Sequence, residues 1–217
     1  MKFEALLFDC DGVLVDSEAI TCGVLRDMLE EKGWSLTLAE CMGHFVGHTV
    51  RHRADLILQH TGWQITDDWL QQFYERRNVQ LGRSIRAVDG VHEVLQHLQP
   101  RLGERMAVAS GADRFKVEMM LGQVGLIDYF TGRIFSGHEV PRSKPAPDVY
   151  LAAAAHLKVD PRQCLVIEDT SVGITAGVAA GATVWAYCPP GAAEQVLRDA
   201  GAQRLFASMQ QLQQWLS

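Results

Sequence analysis

Residues 3–18 read Phe3-Glu4-Ala5-Leu6-Leu7-Phe8-Asp9-Cys10-Asp11-Gly12-Val13-Leu14-Val15-Asp16-Ser17-Glu18. A short, mostly apolar run stops abruptly at two aspartates and a glycine, as a buried strand does on reaching a loop. Runs of the same kind recur at 106–109, 134–135, 165–167 and 183–187, each followed by polar or glycine-bearing residues. Helical patterns lie between them: Val91, Val94, Leu95 and Leu98 before the second run, Phe115, Val117, Met119, Met120 and Leu121 after it, and 149–157 before the fourth. Strands alternating with helices predict an α/β fold, a doubly wound parallel sheet covered on both faces. In such a sheet the site is expected at the carboxyl ends of the strands.

The stretch 16–86 breaks the alternation. It contains no strand-like run, whereas Val50, Ala54, Ile57 and Leu58 recur at helical spacing, as do Trp69, Leu70, Phe73, Tyr74 and Leu81. An all-helical insert over 16–86 is expected, with 1–15 and 87–217 forming the sheet domain. No internal repeat or low-complexity tract is present, and the proline-rich 141–147 is too short to be a linker.

The composition narrows the function classes. The chain has 217 residues, 47% hydrophobic and 21% charged, with a net charge of −6; this is an ordinary globular balance that can bury a core. No long basic stripe is present to neutralise phosphates, so nucleic acid is not an expected partner. The longest apolar stretches are far shorter than a membrane span, and the N-terminus lacks a basic segment followed by an apolar stretch and cleavage site. Five scattered cysteines (Cys10, Cys22, Cys41, Cys164 and Cys188), with no C-x-x-C, suggest neither a disulfide framework nor a cysteine zinc site. A reducing, cytoplasmic setting without membrane association is expected.

Four clusters carry chemistry. Asp9 and Asp11 flank Cys10 where the first strand ends, and Gly12 frees the backbone to turn, so both carboxylates can point at one spot. Converging ionised acids are costly unless a cation neutralises them or they share a proton; solvated loop acids are the plain alternative. A calcium loop does not fit, because its glycine belongs at the sixth position between two helices. Ser110-Gly111 ends the second strand before a helix, where a hydroxyl and backbone N–H groups can hold an anion, although serine and glycine also open many helices as caps. Lys144 is followed by Pro145 and Pro147, which fix its backbone; an ammonium so placed suits a phosphate, but a solvated loop lysine is common. Glu168 and Asp169 follow a buried strand directly. They could cap the next helix, or join Asp9 and Asp11 as oxygen ligands of magnesium.

Taken in order, the stretch from Phe8 to Glu18, then Ser110, then Lys144-Pro145-Ala146-Pro147, then Ile167-Glu168-Asp169-Thr170 with Gly173 resembles the four-motif signature of the haloacid dehalogenase-like hydrolase superfamily. The closest branch is the one with a helical cap that contains β-phosphoglucomutase and sugar-phosphate phosphatases. The resemblance implies a Rossmann-like core with the cap at 16–86. It implies Mg2+ as cofactor and Asp9 as nucleophile, forming an aspartyl-phosphate. Asp11 would protonate the leaving oxygen and later activate water. Ser110, Gly111 and Lys144 would hold the phosphoryl group, and Asp9, Asp11 (through its carbonyl), Glu168 and Asp169 would serve the metal, Glu168 as ligand or supporting partner. Asp11 speaks against a dehalogenase, whose pattern lacks the second aspartate. In the insert, His44, His48 and His52 are four apart, but Gly47 and a helix start at Thr49 break the shared face needed for zinc. By resemblance, Gly47, His48 and Arg51 face the substrate. Arg53, Arg76 and Arg77 read as solvated charges, and Cys10 as a small core residue.

The implied activity is a magnesium-dependent phosphatase acting on a small phosphorylated metabolite, a sugar phosphate or phosphorylated sugar acid. The alternatives are a hexose-phosphate mutase and a non-catalytic binder of a phosphometabolite or protein partner. Where β-phosphoglucomutase has a cap histidine, this chain has Thr21 between Ile20 and Cys22; none can act as an imidazole acid or base, which favours hydrolysis. The oligomeric state is not legible in the sequence.

Overall fold

The computed structural model describes residues 3–217. The chain divides into two compact units, Met1–Val15 with Ala87–Ser217, and Asp16–Arg86. The first unit opens with strand β1 (Ala5–Phe8), buried at every position. The second unit contributes helices α1 (Glu18–Glu30), α2 (Leu38–Phe45), α3 (Ala54–Thr61) and α4 (Asp67–Ser84), with a short 3-10 turn at Val50–Arg53. The first unit then continues as α5 (Val91–Leu102), β2 (Met106–Ser110), α6 (Arg114–Gln123), β3 (Ile134–Ser136), α7 (Asp148–Leu157), β4 (Cys164–Glu168), α8 (Ser171–Ala179), β5 (Thr183–Tyr187), α9 (Glu194–Asp199), β6 (Arg204–Phe206) and α10 (Met209–Leu216).

The strands form one parallel sheet in the order β3-β2-β1-β4-β5-β6. Chain order reverses at β1, which pairs Leu7 with Ala107 of β2 on one side and with Val166 of β4 on the other. This is the switch point of a doubly wound sheet, where a crevice opens beyond the carboxyl ends of the strands. Its central strands read as continuous apolar runs because both faces are covered. Ala5, Leu7, Ala107, Ala109, Val166 and Val184 pack with Val149, Tyr150, Ala153 and Ala154 of α7 in one core cluster. β6 escaped the sequence reading: it is three residues long, begins on the exposed Arg204 and pairs only with β5 at the sheet edge, so no apolar run marks it.

The helical unit has its own core: Cys22, Leu25, Met28 and Leu29 of α1 meet Cys41 and Phe45 of α2, Ile57 of α3, and Trp69, Leu70 and Phe73 of α4. Local signals set the helix starts. Thr37 and Glu40 form a reciprocal capping box on α2, and the Thr66 hydroxyl caps α4 by accepting from the Trp69 N–H. Arg77 differs from the solvated charge expected of it. It is buried on α4, with its guanidinium 4.9 Å from the Tyr74 ring centre and hydrogen-bonded to the Asn78 side chain. Helical periodicity puts Arg77 four residues after Phe73, on the apolar face, and its stem covers that face while the head group finds a π surface. Arg76, beside it in sequence, reaches the Glu31 carboxylate at 2.6 Å on the exposed side. Among the described residues, no helix is long and apolar enough to cross a membrane.

Candidate active site

The site lies at the carboxyl end of β1. The Asp9 N–H donates to the Ile167 carbonyl at 2.9 Å, carrying the β1–β4 ladder one residue past the strand, so the Asp9 backbone is held by the sheet itself. The chain then turns: Leu14 N–H and Val15 N–H both donate to the Cys10 carbonyl, and Gly12 N–H donates to Val15 O at 2.8 Å. Gly12 adopts φ +78°, and a Cβ there would sit 1.9 Å from Asp169 Oδ2. Glycine is thus required twice over, for the backbone angle and for the approach of the second acidic segment. Cys10 is wholly buried within this turn, as a small core residue.

β4 delivers Glu168 and Asp169 beside Asp9. One carboxylate oxygen from each of Asp9, Glu168 and Asp169 lies within 4.8 Å of the others, and this is the only such acid, histidine or cysteine group among the described residues. The capping role left open for these acids falls to Thr170, whose hydroxyl accepts from Gly173 N–H and starts α8. Glu168 is 1% exposed and densely bonded. Its Oε1 accepts from Lys144 Nζ at 2.8 Å and Tyr150 Oη at 2.9 Å, and its Oε2 accepts from the Asp169 N–H, the Thr170 N–H and the Thr170 hydroxyl. Five donors on one carboxylate make it an anchor for its neighbours. A Cβ on Gly173 would come within 1.6 Å of Glu168 Oε1, so the opening of α8 must lack a side chain.

Lys144 comes from the loop before α7. Its ammonium lies 2.5 Å from Asp9 Oδ1 and 4.7 Å from the centre of the Tyr150 ring. Burial alone would push this lysine down; the Asp9 and Glu168 carboxylates more than reverse that and hold it well above the ordinary lysine value. Burial would likewise raise Glu168, but Lys144 and the N–H donors of Asp169 and Thr170 bring it below the ordinary carboxylate value. Asp9 goes the other way. Burial drives its carboxyl up to about 7, against the pull of Lys144 and with the added repulsion of Glu168 and Asp11. Lys144 thus holds two of the three clustered carboxylates, Asp9 and Glu168. The residues fit a hard divalent cation: the donors are all oxygen, and clustered carboxylates are what such an ion would draw together.

Ser110 ends β2, 1% exposed, with its hydroxyl accepting from Ala112 N–H at 3.0 Å. Its position is tied to the next strand, since the Ser110 carbonyl accepts from Gly137 N–H and the Ser136 hydroxyl donates to the Ala112 carbonyl. The helix opens later than the sequence reading placed it: α6 begins at Arg114 and is capped by the Asp113 side chain. Ser110 is the last residue of β2, and Gly111 therefore lies on the loop between that strand and α6. Asp11 stands apart from the three-acid cluster, its Oδ1 accepting from Lys116 Nζ at 2.6 Å.

Gly47 and His48 are exposed, between α2 and the 3-10 turn at Val50–Arg53. Arg51, on that turn, is exposed and paired with Asp67 at the start of α4; exposed pairs of this kind are readily exchanged for other partners. Thr49 caps the turn through His52 N–H, which separates His52 from the α2 residue His44.

Two participants went unread in the sequence. Tyr150 looked like one more apolar position of the α7 periodicity, and its hydroxyl contact with Glu168 has no signature in spacing. Lys116 sits between Phe115 and Val117 in a helical run, where a lysine ordinarily reaches solvent. Its one sequence hint is a position three residues after the capping Asp113, in the first turn of the helix that follows Ser110.

A family model described as haloacid dehalogenase-like hydrolase matches residues 3–181. The chain is 28% identical over 188 residues to 6-phosphogluconate phosphatase of Escherichia coli K12, covering 86% of this chain and 83% of that protein. It is 30% identical over 183 residues to fructose-1-phosphate phosphatase YqaB of the same organism, covering 83% and 94%. A haloacid dehalogenase family hydrolase from Deinococcus radiodurans R1, solved with bound phosphate and sodium, superposes with a TM-score of 0.84 at 34% identity, over 99% of this chain and 95% of that one. With the match spanning β1 to the end of α8, and with phosphatases among its relatives, the chain is an enzyme of the haloacid dehalogenase-like hydrolase family.

Proposed function

We propose that the protein is a magnesium-dependent phosphatase that hydrolyses a sugar phosphate or phosphorylated sugar acid through an aspartyl-phosphate on Asp9. The observation that carries this reading is the placement of Asp9. It is buried at the switch point, gripped by Lys144, and crowded by the carboxylates of Glu168 and Asp169. A carboxylate kept there against its burial cost is suited to attack. The substrate class is drawn from the two sugar-phosphate phosphatases to which the chain is similar.

In the first step an Asp9 oxygen forms a bond to phosphorus as the ester P–O bond breaks in line, and the Asp11 carboxyl gives its proton to the leaving oxygen. In the second, water attacks the aspartyl-phosphate, its proton passes to the Asp11 carboxylate, and the Asp9–phosphorus bond breaks to release phosphate. Ser110, the Gly111 backbone and Lys144 hold the phosphoryl oxygens throughout. Asp9, Asp169 and the Asp11 carbonyl would hold Mg2+, with Glu168 steadying them, and the bound ion supplies charge neutralisation between an anionic nucleophile and an anionic substrate. Because these groups address only the phosphoryl end, Gly47, His48 and Arg51 are proposed to read the remainder of the substrate.

The test is phosphate release from a panel including 6-phosphogluconate and fructose 1-phosphate, with magnesium or with chelator. Release that requires magnesium supports the reading. No release from any member, or full release by chelator-treated protein, would reject it.

A further inference from the structure

We propose that Lys116 is a positioning residue for Asp11, fixing the carboxyl group that carries the proton to and from the reacting oxygen. The inference rests on the reading of Asp11 as acid and base given above. It starts from an anomaly of burial. The Lys116 side chain is 8% exposed, although lysine is almost never buried unless paired. Its partner is Asp11, 105 residues away in sequence and 2.6 Å away in space. A pair with one buried and one partly buried member is weak evidence for stability, because desolvation offsets the attraction. A role in holding geometry accounts for it better.

Both ends of the contact are pinned. The Lys116 N–H donates to the Asp113 side chain at 2.9 Å in the cap of α6, which sets where the lysine leaves the helix. Asp11 sits in the tight turn closed by the Gly12–Val15 hydrogen bond. The result is a division between two lysines. Lys144 takes Asp9 and Glu168, Lys116 takes Asp11, and the two aspartates are held on separate ammonium groups despite being two residues apart. Proton transfer requires the carboxyl oxygen within about 2.6–3.2 Å of its target, so a carboxyl swinging on its own torsions would lose much of its effect. Lys116 exchanges no proton in either step: the proton that Asp11 gives to the leaving oxygen in the first step is replaced by one from water in the second.

The test compares first-turnover rates on two leaving groups. 4-Nitrophenolate departs as a stable anion and needs no proton, whereas the alkoxide of a sugar phosphate does. Lys116→Met, similar in length but uncharged, is expected to slow cleavage of the best alkyl phosphate of the panel by about tenfold or more while changing the 4-nitrophenolate burst by less than about threefold. Lys116→Arg, which keeps the charge and a donor, is expected to restore most of the alkyl phosphate rate. Equal losses on both substrates, no loss on the alkyl phosphate, or failure of arginine to rescue would each overturn the proposal. Asp11→Asn in the same assay separates the two readings. If it too loses both substrates equally, the acid–base role of Asp11 falls; if it is selective and Lys116→Met is not, only the role of Lys116 falls.

Discussion

Replacing Asp9 by asparagine is expected to stabilise the metal-free protein while abolishing its turnover. Burial raises the Asp9 carboxyl from 3.8 to about 7, with Glu168 and Asp11 adding to the rise and Lys144 opposing it. The folded chain therefore holds this proton more tightly than the unfolded chain. The associated stability is fully present below about pH 4, declines as the pH rises through about 7, and is gone above that. A tenfold difference in proton affinity between the two states is about 1.4 kcal/mol, so ionised Asp9 costs the metal-free fold at most about 4 kcal/mol near pH 8. Asparagine keeps the shape and removes the charge. With relaxation and water penetration taking up part of that ceiling, a gain of about 2 kcal/mol is expected, which for a chain of this size is about 4–8 °C in Tm. Thermal unfolding followed by circular dichroism in chelator should show this gap near pH 8 and its closure near about pH 4.5. Magnesium should raise the wild-type Tm by binding the folded state, and raise that of the variant less. A variant no more stable than wild type near pH 8, or a gap that ignores pH, would refute the reasoning. Substantial steady-state hydrolysis by the folded variant would remove Asp9 as nucleophile.

Gly173→Ala is expected to cost about 3 kcal/mol, or roughly 6–12 °C in Tm, because its Cβ would drive Glu168 off Lys144 and Tyr150; an unchanged Tm and activity would show that the anchor tolerates displacement. Arg51→Ala should raise KM for the best sugar phosphate by about tenfold, with little change for 4-nitrophenyl phosphate. Equal losses on both would assign Arg51 to the fold or the phosphate. With β-glucose 1-phosphate, magnesium and a trace of the bisphosphate, free phosphate should accumulate, since Thr21 and its neighbours offer no imidazole to couple sugar binding to transfer. Rapid glucose 6-phosphate with little free phosphate would instead establish a mutase.

Hydrophobic patterning alone made the sheet legible. Five of the six strands, the parallel α/β class and the helical character of 16–86 follow from runs such as 3–8 and from the spacing of Trp69, Leu70, Phe73 and Leu81. The reason is that periodicity reports which side of an element is buried, and burial dominates folding. The motif acids, Ser110 and Lys144 were legible for a related reason: each directly follows a strand or sits between prolines, and strand ends in a doubly wound sheet converge on the switch point. What the tertiary structure decided is which charge meets which. That Asp11 belongs to Lys116, that Asp9 belongs to Lys144 and that Tyr150 gives its hydroxyl to Glu168 are matters of side-chain direction between separate elements, and that Arg77 lies buried against Tyr74 is a matter of which face of α4 is packed. A charged residue in a helical run reads the same whether it reaches water or a buried partner. The difference arises only when packing removes the water and brings particular partners within reach.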